Sequence, residues 1–368
     1  MKKILFLIHD LHHGGAEKVL VNLVNNMDPE QFEIHVTALF GGGVNEQFLK
    51  PHVHFRTIFP RVFPGNSHVM KLFSPKLLHR MFVKDHYDIE IAYLEGAASR
   101  IISGCDDPQT RTVCWIHCTM KSPEEFAVGF RSVDEAKRCF SQFDRGVFVS
   151  KGVVDAFCRY CPMENMQVLY NTNESERILM LSQETIQDDL FHEGDFSMIG
   201  VGKIEDVKGF DRLARIHTRL RREGYGVNTY ILGQGSRENE LRQYLEREGV
   251  SDSFTFLGYQ TNPYKYVAKS DLFVCSSYSE GFSTAATEAL IVGTPVCTVE
   301  VSGMKEMLGD HNEWGIVTEN DENALYEGIK RLLDDPALLA HYKKQAEERG
   351  KTFSTENTVR AVQDMLLE

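Results

Sequence analysis

The chain has 368 residues, 42% of them hydrophobic and 25% charged, which suits a folded protein of two ordinary domains. No run of about 18 apolar residues occurs, which argues against a membrane-spanning helix. The net charge of −13 argues against general nucleic-acid binding.

The first run, Ile4-Leu5-Phe6-Leu7-Ile8, stops at His9 and Asp10. It is too short for the core of an export leader and fits a buried strand. Gly14-Gly15 reads as a tight turn, and residues 16–27 as a helix with Val19, Leu20, Leu23 and Val24 on one face. Strands are expected over 33–39, 89–93, 111–116, 146–150 and 167–170. A polar stretch follows, and the alternation restarts. Strands are expected over 197–202, 228–232, 254–257, 271–275 and 295–299, and helices over 210–223, 237–248 and 356–367. This β-α alternation predicts two Rossmann-like, doubly wound parallel-sheet domains of α/β class. The boundaries predicted are 1–172 and 190–353, with a linker over about 173–189. The helix within 354–368 is expected to pack back on the first domain.

Eight cysteines, with no export leader expected, point to reduced thiols in the cytoplasm. Cys158-x-x-Cys161, and Cys114 with His117 and Cys118, have ligand-like spacing but no second pair nearby. They read better as buried thiols, and no metal site is expected.

The chemistry gathers on strand ends. Gly14-Gly15 can let a phosphate or sugar approach the backbone. Lys203 and Lys208 follow a strand closely and could clamp a diphosphate. Gly233-Gln234-Gly235 is a second glycine-rich turn, without the spacing of a nicotinamide fingerprint. Glu280 and Glu288 flank Gly281, Phe282, Ser283 and Thr284, whose amides should open a helix near Thr284. Two carboxylates can grip the ends of an elongated ligand while the amides hold its charged middle. A sugar–diphosphate–nucleoside has that form. An ordinary capping box on a solvated helix is the plainer reading of the same residues.

Taken together these motifs resemble the retaining glycosyltransferases of the GT-B fold, family four or group one. The resemblance runs through Gly14-Gly15-Ala16-Glu17, His117, Tyr170-Asn171-Thr172-Asn173, Gly202-Lys203, Lys208-Gly209, Leu232-Gly233-Gln234-Gly235, Phe256-Leu257-Gly258, Glu280-x7-Glu288 and Gly293-Thr294-Pro295-Val296. It implies two domains facing across a deep cleft, a nucleotide-sugar held by the second and an acceptor by the first. It implies that Lys203 and Lys208 hold the diphosphate and Glu288 the ribose. Glu280, Gly281, Phe282, Ser283 and Thr284 would hold the transferred sugar and distal phosphate. Leu257 would meet the base, Gly235 would line the donor, and Gly14 and Gly15 would approach it. His117 matches a histidine near the reaction centre. The first basic position is usually arginine, so Lys203 keeps the charge but loses the bidentate fork.

The resemblance further implies retention by a front-face route, with Glu280 positioning the sugar and the domains closing over the donor. A UDP-sugar is the expected co-substrate, with bacterial cell-envelope or capsular polysaccharide as the setting. No Asp-x-Asp occurs, so no metal cofactor is expected. A GT-B UDP-sugar epimerase and a non-catalytic sugar-nucleotide binding protein are the alternatives. Residues 47–84 hold no acidic residue and carry seven Lys/Arg among aromatics. A helix is expected over 70–83, and Lys71, Lys76, Arg80 and Lys84 of this segment would meet a lipid-linked acceptor or the inner face of the cell membrane. The plainer reading is a solvated rim around core residues.

Overall fold

The computed structural model describes residues 1–12, 14–186, 190–191 and 194–368, without the side chain of Ser67. The last three positions of the expected linker, 187–189, lie outside the described residues. The chain forms two compact units, Met1–Asn173 with Thr355–Glu368, and Glu174–Ser354.

The first unit is built on a parallel sheet of β1 (Lys2–Ile8), β2 (Phe32–Phe40), β3 (His54–Phe59), β4 (Ile89–Tyr93), β5 (Arg111–Ile116), β6 (Arg145–Phe148) and β7 (Met166–Val168). Its order is β3-β2-β1-β4-β5-β6-β7. Residues Ile4 to Ile8 of β1 are fully buried, as a strand covered by helices on both faces requires. The helix Thr355–Leu367 belongs to this unit. Lys2 Nζ and Arg111 Nη2 donate to the Leu366 carbonyl at 3.0 and 2.8 Å, placing cations on the negative end of that helix.

Two features of the basic segment differ from expectation. Strand β3 was not expected, because His54 and Arg56 interrupt its apolar pattern. It lies at the sheet edge, where such residues are tolerated. The single helix expected over 70–83 is two, Asn66–Lys71 and Pro75–Phe82. Pro75 is the cause: it has no N–H and biases the residue before it to extended backbone. Ser74 is extended accordingly, and its side chain caps the second helix by accepting from Leu77 N.

The second unit has β8 (Phe196–Val201), β9 (Val227–Leu232), β10 (Phe254–Gly258), β11 (Leu272–Cys275), β12 (Val296–Val299) and β13 (Ile316–Thr318), in the order β10-β9-β8-β11-β12-β13. Met198, Ile231 and Leu272 from the sheet pack with Leu213, Leu245 and Ile329 from its helices. Within the stretch expected as linker, Ser175–Ser182 forms a helix, and Asn262 Nδ2 donates to its Leu181 carbonyl at 2.9 Å.

His217 is fully buried here, its ring 2.9 Å from Thr229 Oγ1 and 3.0 Å from Ser253 Oγ. Burial, reinforced by the charge of Arg221, pushes its pKa down to about 4. The unfolded ring binds a proton near pH 6.5 and the folded ring does not. The contribution is therefore intact above pH 6.5 and falls away as the pH drops toward 4, by up to about 3 kcal/mol. In urea unfolding, His217→Gln should be less stable than the parent at pH 7 and should lose less stability between pH 7 and 4.5. Equal losses would contradict this.

Candidate active site

The second unit's chain runs from β8 outward through β9 and β10, then returns to β11 on the other side of β8. Ligand crevices form at such a switch point, outside the carboxyl ends of the strands. The two loops that flank it meet directly. Lys208 Nζ donates to Glu280 Oε1 at 2.7 Å, and Ser277 Oγ donates to the same oxygen at 2.6 Å. Ser276 Oγ donates to the Lys208 carbonyl at 3.1 Å, and Tyr278 N donates to the Val207 carbonyl at 2.8 Å. Gly209 makes this approach possible: its φ is +63°, and a Cβ there would lie 2.0 Å from the Ser276 carbonyl oxygen. Lys203 is exposed and, among the described residues, makes no ion pair.

The neighbouring strand ends are laced by backbone bonds from Gly202 N to Leu232, Gly233 N to Gly258 and Ile204 N to Gln234, at 2.8–3.0 Å. A Cβ on Gly235 would lie 2.2 Å from the Ile204 carbonyl oxygen, so only glycine fits. Leu257 is half-buried, and its carbonyl accepts from Gln260 Nε2 at 2.7 Å.

The helix Thr284–Ile291 starts where expected, with Ser283 as its cap accepting from Ala286 N at 3.3 Å. Gly281, Phe282, Ser283 and Thr284 therefore lie at its positive end. Phe282 is buried, with its ring 5.9 Å from that of Phe353. Glu288 is buried one turn in, and Tyr264 donates to its Oε1 at 3.3 Å. The structure thus joins Lys208 to Glu280 and gives Glu288 a different partner.

Ser277, Tyr264 and Arg212 were not singled out from sequence. The Ser276-Ser277 pair at a strand end was a usable signal for the first. Arg212 is 1% exposed, bonds Asn320 Oδ1 through Nη1 at 2.9 Å and lies 4.0 Å from the Tyr278 ring centroid. Its Nε and Nη2 have no hydrogen-bond partner among the described residues, and nothing in its helical sequence marks it.

In the first unit, Gly14 precedes the helix Gly15–Asn26, and a Cβ on it would collide with the Glu17 carboxylate. Gly15 is exposed at the start of that helix. His117 lies just past β5, its amide donating to Glu95 Oε2 at 3.0 Å. Its ring sits 4.7 Å from Tyr93 and 6.2 Å from Trp115 between centroids. His117 Nε2, Tyr93 OH and Trp115 Nε1 are all buried with no hydrogen-bond partner among the described residues. Burial pushes His117 down to about 3, so its ring is neutral near pH 7 and suits hydrogen bonding rather than proton donation.

The basic segment is less free than its composition suggests. Lys76 Nζ and Arg80 Nη2 converge on Asp106 Oδ2 at 2.6 and 2.8 Å. Lys84 donates to the Arg80 carbonyl, and Lys71 makes no ion pair among the described residues. Large apolar side chains around them are exposed, namely Val69, Leu72, Leu77 and Met81, with Leu72 at 76%. Neither cysteine spacing noted above belongs to a metal-competent cluster among the described residues.

Residues 182–349 match the family model of the glycosyl transferases group 1. The chain is 27% identical over 365 residues to a Campylobacter jejuni enzyme, covering 96% of each. That enzyme is the N-acetylgalactosamine-N,N'-diacetylbacillosaminyl-diphospho-undecaprenol 4-alpha-N-acetylgalactosaminyltransferase. The present chain is 28% identical over 166 residues to the lipopolysaccharide core biosynthesis glycosyltransferase LpsD of Rhizobium meliloti, covering 45% of this chain and 47% of that one. Among solved structures, the complex of Anabaena Alr3699/HepE with UDP and glucose matches with a TM-score of 0.78 and 20% identity over the full length of both chains. The sucrose-phosphate synthase of Thermosynechococcus elongatus matches at 0.76 and 16%, covering 100% of this chain and 98% of that one. These likenesses show the fold: each unit has the parallel-sheet, Rossmann-like architecture of the GT-B glycosyltransferases.

Proposed function

We propose that this chain, whose residues 182–349 match the family model of the glycosyl transferases group 1, moves a hexose-type sugar from a UDP-sugar to a saccharide or lipid-linked acceptor with retention of configuration. The observation that carries this reading is the contact of Lys208, Glu280 and Ser277 at the switch point of the second sheet. It lies just ahead of the amide end of the helix that buries Glu288. The names of the relatives agree with it. The Anabaena protein was solved with UDP and glucose, and the Campylobacter enzyme acts on a diphospho-undecaprenol-linked acceptor.

Cleaving a sugar–phosphate bond puts negative charge on the departing diphosphate. Lys208, Lys203 and the amides of Gly281 to Thr284 stabilise that charge without a metal in the step. Lys208 is held by Glu280 before the donor arrives, so the phosphate shares an ammonium that is already positioned. Glu280 and Ser277 then orient the sugar's hydroxyls, while Glu288, steadied by Tyr264, takes the ribose. Leu257 and Gly235 border the nucleoside. Gly14 and Gly15 also approach the donor, and His117, as a neutral imidazole, hydrogen-bonds the sugar near the reaction centre. Retention follows if the acceptor attacks on the face the diphosphate leaves.

The test is incubation with UDP-sugars and glycan acceptors, with the product's anomeric configuration read by NMR. An α-linked product from an α-donor is expected. A β-linked product overturns retention. Conversion of the UDP-sugar alone into its epimer replaces transfer with epimerisation, and binding without turnover of any kind favours the non-catalytic alternative.

The same reading places the chain in the cytoplasm, peripheral to the inner face of the cell membrane. Its support is the exposed apolar side chains between Val69 and Met81 beside Lys71, which makes no ion pair among the described residues. No helix among the described residues is long and apolar enough to cross a membrane. Charge reversal at Lys71 and Lys84, which leaves the Asp106 pairs intact, should weaken sedimentation with anionic liposomes several-fold. Binding equal to the parent's would contradict the docking surface.

A further inference from the structure

We propose that His79, Glu90 and Cys105 form a binding site for one thiolate-accepting divalent metal ion, of the Zn²⁺ class, in the first unit. The three residues come from the helix Pro75–Phe82, from β4 and from the turn after the helix Ala97–Ile102. One ligand atom from each lies within 4.8 Å of the other two. His79 Nε2 is 2.7 Å from Glu90 Oε2. None of the three takes part in the donor site described above.

The cluster is built by the fold rather than gathered on a surface. Glu90 is the second residue of β4, in register with Leu5 of β1 and Thr112 of β5, and is 2% exposed. A carboxylate rarely occupies such a position unless it is paired or holds an ion. Among the described residues its one hydrogen-bond partner is His79, itself buried. Gly104 brings Cys105 close: a Cβ on it would lie 2.2 Å from the Pro75 carbonyl, so the turn rests directly on the first residue of the His79 helix. The Asp106 carboxylate, next in the chain, ties the same turn to Lys76 and Arg80 of that helix. Among the described residues no arginine or lysine forms an ion pair with Glu90; Arg56 donates to Thr37 Oγ1 and the Phe82 carbonyl.

The donor set selects the ion. One imidazole nitrogen, one carboxylate oxygen and one thiolate sulfur suit Zn²⁺, whereas Mg²⁺ and Ca²⁺ take oxygen alone. Bonds of about 2.0–2.3 Å place tetrahedral ligand atoms roughly 3.3–3.7 Å apart. The His79–Glu90 contact must therefore open by about half an ångström. Cys105 is half-buried, which gives the ion its path and leaves a fourth position for water. Binding displaces the protons of the thiol and the ring, so affinity rises with pH. The other metal-competent cluster, Glu33, His35 and His54, is more open, and Lys3 already lies 3.7 Å from Glu33. It serves as the control.

The test is titration of the metal-free full chain with Co²⁺, followed by absorption. A thiolate-to-cobalt charge-transfer band in the near ultraviolet should appear and saturate at one ion per chain, and Zn²⁺ should erase it. Cys105→Ser should abolish the band and weaken Co²⁺ binding more than about tenfold. His79→Gln should weaken binding comparably, while His54→Ala and Cys118→Ser should leave it unchanged. Unliganded melting temperatures, compared in parallel, identify any variant that fails to fold. Absence of the band in the parent chain, or its persistence in folded Cys105→Ser, overturns the site.

Discussion

Lys208→Ala should lower the rate of sugar transfer by roughly 10²- to 10³-fold, the usual cost of deleting one preorganised group that stabilises charge in a transition state. Lys208 also balances Glu280, whose side chain is only 11% exposed and whose other partner on the same oxygen is Ser277. Its loss therefore removes the cation bonded to a largely buried carboxylate, and stability should fall as well. The double variant Lys208→Met with Glu280→Gln separates the two effects. Replacing both charges should recover most of the lost stability, because the pair is only partly desolvated. It should not recover activity. Activity regained together with stability would make the pair structural, and the diphosphate would need another anchor.

Gly209→Ala should destabilise the second unit by about 3 kcal/mol or more. Two costs add. A side chain at φ +63° is strained by about 1–2 kcal/mol. A Cβ 2.0 Å from the Ser276 carbonyl also forces apart two loops that share backbone hydrogen bonds, and overpacking of this kind costs about 1–3 kcal/mol. Gly249→Ala isolates the first cost. Its φ is +70°, but nothing lies within 4 Å of its Cβ position, so only the strain of about 1–2 kcal/mol is expected. Urea unfolding of both variants measures the difference. Equal losses would mean that the loops are not held by this contact. Where Gly209→Ala still folds, donor affinity should drop, because Lys208 is the residue before it.

The strands that sequence made legible are those with unbroken apolar runs, such as Ile4 to Ile8 and Leu272 to Cys275. Burial on both faces leaves no polar alternation to mislead. β13 escaped because three residues carry too little pattern, and β3 because an edge strand admits histidine and arginine. The break at Pro75 was legible from Ser-Pro alone and was overridden by the apolar spacing around it. The loops proposed to hold the donor were legible because glycine, lysine and glutamate fall on strand ends in a recognisable order. The contact of Lys208 with Glu280 was not, since it joins loops far apart in sequence through the crossing at the switch point. Similarly, no spacing joins His79, Glu90 and Cys105; packing of a helix, a strand and a turn does. In the basic segment, the acid-free composition hid Asp106, which arrives from outside it and pairs with Lys76 and Arg80, two of its seven cations.

The central claim is that the second unit holds a nucleotide-sugar through Lys208, Glu280 and Glu288. Thermal unfolding of the full chain with UDP, GDP and ADP, with and without EDTA and beside Glu288→Ala, tests it most directly. A ligand at 100 times its Kd adds about 2.7 kcal/mol, a shift of several degrees. The account predicts that shift with UDP, of equal size in EDTA, and its loss in Glu288→Ala relative to that variant's own unliganded midpoint. No shift with any nucleotide, or a UDP shift that Glu288→Ala leaves intact, would contradict the assignment of this site.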